Sequence, residues 1–181
     1  MPSKKNSVFN LSEQEIVDCS TESNGCTGGN PFRVFDYIIK KGIANDVEYP
    51  YTGKKSTCKK ISTIKKIKQK FDYYFLDPNI LDLLEALEEG PVAVVLHANE
   101  AFKHYSSGIF DDNSCNGVLN HSLVAIGYNL DDKVPYLLLK NGWADDWGED
   151  GYIRIAIGPL NSSNKGTCLV VSHDINVAPY I

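Results

Sequence analysis

Lys140-Asn141-Gly142-Trp143-Ala144-Asp145-Asp146-Trp147-Gly148-Glu149-Asp150-Gly151-Tyr152-Ile153-Arg154-Ile155 reads as the end of one strand, a tight acidic turn and the start of the next strand. The run Tyr136 to Lys140 leads into it and Tyr152 to Ile157 leads out, both rich in residues that suit a pleated, half-buried surface. Asp145, Asp146, Glu149 and Asp150 crowd the turn, but not at calcium-loop spacing, so they read as a solvated turn. An amide side chain, Asn141, and an indole, Trp143, stand where the first strand ends.

Twenty residues upstream lies Gly117-Val118-Leu119-Asn120-His121-Ser122-Leu123-Val124-Ala125-Ile126-Gly127-Tyr128. It is a histidine at the entry to another apolar strand, Leu123 to Tyr128. A base beside a nucleophile needs a third group to fix its tautomer and ring angle, and an asparagine amide can do that. His97 and His104, near a strand end and a short helix, read as surface or packing residues.

The remaining elements follow from local signals. Leu11 to Cys19 reads as a short helix, with Ser12 and Glu15 as a capping box and Leu11 and Ile16 as its hydrophobic staple. Asn30-Pro31 opens a second helix, with Phe32, Phe35 and Ile39 on one face and Gly42 as its stop. Asp77-Pro78 opens a third, with Leu81, Leu84 and Leu87 on one side and Gly90 at its end. Val92 to Leu96 is a short apolar strand. Helices first and strands second predict an α+β fold.

Composition sets bounds. A chain of 181 residues, 43% hydrophobic and 10% aromatic, can bury a sizeable core. Its net charge of −5 argues against a nucleic-acid partner, and no apolar run is long enough to cross a membrane. Nor does the start of the sequence read as a signal peptide. Lys54 to Lys70 is rich in lysine and free of acid, and reads as a solvated surface segment. The five cysteines are an odd number, so one thiol is left over in a disulfide-bearing protein. No ligand-type spacing of cysteine and histidine appears, so neither metal nor cofactor is expected.

The sequence resembles the papain-like cysteine peptidases, the papain and cathepsin L family. Leu11-Ser12-Glu13-Gln14-Glu15-Ile16-Val17-Asp18-Cys19 is similar to that family's LSEQELVDC segment, and Gly25-Cys26-Thr27-Gly28-Gly29 to its GCNGG loop. Tyr49-Pro50-Tyr51, Gly90-Pro91-Val92-Ala93-Val94 and Tyr105 through Phe110 match further family elements in the same order. Lys140 to Ile155 is similar to KNSWGxxWGExGYIRI, with Gly142 in place of serine and Ala144 in place of glycine.

The resemblance implies a two-lobe fold: an incomplete helical left lobe over residues 1–75 and a β-barrel-like right lobe over 76–181, with substrate between them. It implies His121 as general base and acid, Asn141 as its orienting partner and Trp143 as their shield. Gly28, Gly29, Asn30, Pro31, Val95, Leu119, Asn120, Ser122 and His173 are the implied substrate-binding residues. It pairs Cys19 with Cys58 and Cys115 with Cys168, and leaves Cys26 without its partner. That partner, the nucleophilic cysteine and an oxyanion-hole glutamine belong to a segment ahead of Leu11, and Met1 to Asn10 contains none of them. The expected activity is therefore thiol-dependent peptide hydrolysis by family, with this chain inactive alone. The alternative is a non-catalytic protein that binds peptides or protease inhibitors. Implied partners are a peptide or protein substrate, cystatin-like inhibitors and a propeptide, in a lysosomal or extracellular compartment.

Overall fold

The computed structural model describes residues 10–59, 66–67, 72–112, 114–161, 163–171 and 176–180. His173 and much of the lysine-rich segment lie outside the described residues. The chain divides into two compact units, Met1–Phe71 and Asp72–Ile181, and each is described by itself. The division falls a few residues before the boundary read from the sequence, because Asp72–Phe75 is a strand of the second unit's sheet.

In the first unit, helix α1 spans Glu13–Cys19 and helix α2 spans Pro31–Lys41. Ser12 caps α1, its hydroxyl accepting from the Glu15 N–H at 3.0 Å. The other half of the capping box does not form. The Ser12 N–H donates to the Ala44 carbonyl, and the Glu15 carboxylate turns inward. There Glu15 accepts from the Tyr37 hydroxyl and the Ala44 N–H, each at 2.7 Å, and from the Lys66 ammonium at 2.5 Å. A buried carboxylate has to be satisfied in this way, and three donors serve it better than one backbone amide. Burial, with Glu15 beside it, pushes the Tyr37 hydroxyl above its usual range.

The buried side of α2 is also not the one its phenylalanines suggested. Tyr37 is buried and Ile38 packs with it on Cys19, Ala44 and Tyr49, whereas Phe32 and Phe35 are half-buried and Ile39 is exposed. Tyr37 is chosen by its hydroxyl, which reaches Glu15. A purely apolar count does not weigh that bond. Gly42 ends α2 at φ 68°, a conformation glycine adopts without a Cβ clash.

The second unit is a seven-stranded, mostly antiparallel sheet with helices. Its strands are β1 (Asp72–Phe75), β2 (Val92–Leu96), β3 (Ile109–Phe110), β4 (His121–Asn129), β5 (Tyr136–Lys140), β6 (Tyr152–Ala156) and β7 (Val177–Tyr180). They lie in the open order β1-β7-β2-β4-β5-β6-β3, and among the described residues β3 pairs parallel, with β6, while the other neighbours are antiparallel. With the helices this is an α+β fold, as the order of elements predicted.

Helix α3 spans Ile80–Glu89 and starts later than Asp77-Pro78 implied, because Asn79 is the cap and accepts from the Asp82 N–H. Its buried stripe is Ile80, Leu83 and Leu84, with Leu87 packed beside them, while Leu81 is 46% exposed. That is the i, i+3, i+4, i+7 pattern of a core-facing helix. The short helix α4 spans Glu100–Lys103 and is capped by Asn99. It sinks Phe102 completely into the core.

Candidate active site

Strand periodicity puts His121 and Asn141 together. Side chains alternate across a strand, and in β4 Leu123 and Ala125 face the core. His121, two residues earlier, therefore points to the same face at the end of the strand. In β5 Leu137 and Leu139 face the core, and Asn141 continues the alternation one residue past the last paired position. Val124 pairs with Lys140, so Asn141 falls opposite Leu123 and diagonal to His121 on one face. The result is a contact of 2.8 Å between His121 Nε2 and Asn141 Oδ1.

That contact decides the tautomer. An amide oxygen only accepts, so Nε2 carries the proton and the neutral ring's lone pair sits on Nδ1. Asn141 Oδ1 also accepts from the Gly142 N–H at 2.8 Å, which fixes the amide from the other side. Asn141 is 8% exposed, and its backbone N–H donates to the Gly151 carbonyl at 2.9 Å, tying the residue to the far end of the turn. Burial holds the His121 ring below its usual pKa of 6.5, and the bond to Asn141 opposes this in part. Burial therefore favours the neutral form of the ring.

An aromatic cluster surrounds the pair. The Trp143 indole lies 4.5 Å from the His121 ring, with 32° between their planes, and covers the hydrogen bond. Phe102 packs edge-on to both, 6.1 Å from His121 and 5.9 Å from Trp143. Trp147 stands edge-on to Trp143 at 5.3 Å and donates from Nε1 to the Lys103 carbonyl at 3.0 Å. Excluding water strengthens the hydrogen bond it covers. Phe102 was not singled out in the sequence. The available signal was Asn99, whose cap turns α4 so that its phenylalanine points inward.

The acidic turn is not simply solvated. Asp145, Asp146 and Asp150 are exposed, but Glu149 accepts twice from Arg154, at 2.8 and 2.5 Å, and once from the Gly108 N–H at 2.9 Å. The Arg154 guanidinium holds the Glu149 carboxyl down at about 2. Ala144 takes φ 70° in this turn, which costs a residue with a Cβ.

Of the implied substrate residues, Val95 and Ser122 are paired in register across β2 and β4. Leu119 is half-buried in the segment that leads to His121. The Asn120 side chain is engaged with the Ala98 backbone, Oδ1 accepting at 2.8 Å and Nδ2 donating at 3.2 Å. This bond and the Asn120 N–H to the Leu96 carbonyl start β4 at His121, earlier than its apolar run suggested. In the first unit Gly28 takes φ 111°, and a Cβ on Gly29 would crowd the Ser23 hydroxyl at 3.1 Å. Asn30 precedes Pro31, the first residue of α2, and its side chain makes no capping bond. Cys19 is joined to Cys58 and Cys115 to Cys168, while Cys26 is an exposed free thiol.

Comparison with known proteins gives a consistent set of relatives. The family model described as papain family cysteine protease matches residues 1–173. Cysteine proteinase RD21A of Arabidopsis thaliana is 40% identical over 163 residues, which is 87% of this chain and 35% of the relative. A cathepsin L-like proteinase of Phaedon cochleariae is 37% identical over 156 residues, 84% of this chain and 48% of the relative. The chain thus spans between about a third and a half of the length of these relatives. The crystal structure of the Carica candamarcensis cysteine protease CMS1MS2, in complex with E-64, superposes with a TM-score of 0.82 at 36% identity. The match covers 97% of this chain and 79% of that one.

Proposed function

We infer that this chain, which belongs to the papain family of cysteine proteases, carries the general base and its orienting partner for thiol-dependent peptide-bond hydrolysis. The observation that supports this most is the 2.8 Å contact from His121 Nε2 to Asn141 Oδ1 beneath Trp143. It leaves Nδ1 as the nitrogen that takes a proton from a thiol. Once Nδ1 is protonated, the imidazolium steadies the thiolate, and it returns the proton to the leaving amine after attack on the carbonyl carbon. Asn141 keeps Nε2–H in place through both transfers. Val95, Leu119 and Ser122 are proposed for substrate contacts, as are Gly28, Gly29, Asn30 and Pro31. His173 is assigned to the same role from sequence alone.

The reacting sulfur is the part these 181 residues do not supply. Four of the five cysteines are tied up in disulfides. Cys26 is assigned as a disulfide half rather than a nucleophile. The chain by itself is therefore proposed to be inactive, with peptide substrates and thiol-protease inhibitors as its binding partners. Its disulfides suit a lysosomal or extracellular setting.

The roles are tested by fusing a relative's cysteine-bearing N-terminal segment ahead of Leu11 and assaying dipeptidyl fluorogenic substrates under reducing conditions. Turnover should appear in the fusion and vanish in its His121→Ala form. Asn141→Ala should lower kcat more than it changes KM. Turnover that survives His121→Ala would remove the histidine from the mechanism.

A further inference from the structure

The sequence holds three Asn-x-Ser triplets, at Asn10, Asn120 and Asn161. Their surroundings differ in the feature that matters for attaching a sugar: which amide and hydroxyl atoms the fold has already used. At Asn10 the triplet's hydroxyl is spent. Ser12 is fully buried, donates to the Tyr49 carbonyl at 2.6 Å and caps α1. At Asn120 the amide is spent, because Nδ2 donates to the Ala98 carbonyl and Oδ1 accepts from the Ala98 N–H. A sugar on that nitrogen would disturb the first residue of β4, which is His121.

Asn161 is arranged differently. It is exposed, as is Ser163, in the loop between β6 and the Cys168 disulfide. Its Oδ1 accepts from the Ser163 hydroxyl at 2.7 Å and from the Ser163 N–H at 3.1 Å. Both bonds use the amide oxygen, so a bond made at Nδ2 leaves the turn intact. The loop is braced independently. Asn164 Nδ2 donates to the Ile157 and Pro159 carbonyls, and Asn164 Oδ1 accepts from the Gly166 N–H. The middle residue, Ser162, satisfies the one demand on its position by not being proline.

We propose that Asn161 is an N-glycosylation site, with Asn10 and Asn120 left unmodified. The donor is an oligosaccharide linked to a lipid diphosphate. The bond between the sugar's anomeric carbon and the diphosphate oxygen breaks, and that carbon bonds to Asn161 Nδ2. Nδ2 loses one proton, and the lipid diphosphate leaves with the bonding electrons. No oxidant or reductant is required. The two disulfides suit the compartment class where such donors act.

The test is to secrete the full chain from insect cells and compare intact masses before and after peptide-N-glycosidase treatment. The wild type should lose a single glycan, with Asn161 converted to aspartate in the released peptide. Asn161→Gln and Ser163→Ala should abolish the mass change. Ser163→Thr, Asn10→Gln and Asn120→Gln should retain it. A wild-type chain with no glycan, or a glycan that survives Asn161→Gln, would overturn the proposal.

Discussion

His121 and Ala144 are the two residues whose local physics says most about the site. His121 is held neutral by burial, so the native ring binds its proton less readily than the unfolded ring does. Stability should therefore fall as pH drops below 6.5, and stop falling on this account once pH passes below the folded pKa. His121→Gln should remove that part of the slope in denaturant titrations at several pH values. Asn141→Asp should raise the pKa, because a carboxylate at the same distance favours the charged ring; titrating the ring by NMR reads it directly. Ala144 holds a left-handed backbone where its matched motif has glycine. Ala144→Gly should therefore stabilise the fold, by about 1 kcal/mol after the entropic cost of glycine, as measured by chemical unfolding. That His121 and Asn141 belong together was legible in the sequence at this scale, because both residues sit in long matched stretches, and the two side chains do meet. The tautomer was not, since it depends on a distance.

At the scale of elements, what sequence reading found and what it missed have separate causes. Val92–Leu96 and Tyr136–Lys140 were legible to the residue, because continuous apolar runs between turn residues leave little choice. Strands β1 and β7 were not, because they are short and are held by cross-strand pairing, β7 with both β1 and β2, rather than by an alternating apolar pattern of their own. On α3 the sequence favoured Leu81 with Leu84 and Leu87, whereas the sheet selects Ile80 and Leu83 with them. Leu83→Ala should cost about 2–5 kcal/mol. Leu81→Ala should stay within about 0.5 kcal/mol. Equal costs would show that the helix is rotated. The Asn141–Gly151 turn is held by Glu149, whose Arg154 and Gly108 bonds brace the segment that carries Trp143 and Trp147. Glu149→Gln should cost about 1–3 kcal/mol near neutral pH. Glu149 is depressed in the folded state, so its contribution is complete above 4.5 and is lost as pH falls through about 2. Wild type and variant should converge there.

At the scale of the whole molecule, α+β organisation and family membership were both readable, because the motifs run in order from Leu11 almost to the end of the sequence. The division after Phe71 was less so, since the lysine-rich stretch before it carries no punctuation that marks a boundary. We propose that these 181 residues hold an oriented base without a thiol nucleophile for it to serve. The other parts of catalysis do not compensate, because removing a nucleophile costs a thiol peptidase nearly all of its rate. The most direct measurement is turnover of a dipeptidyl fluorogenic substrate by the purified 181-residue chain under reducing conditions, with and without a thiol-alkylating epoxide. The same background rate is expected in both samples. Turnover that the epoxide abolishes, and that is lost in His121→Ala, would contradict it.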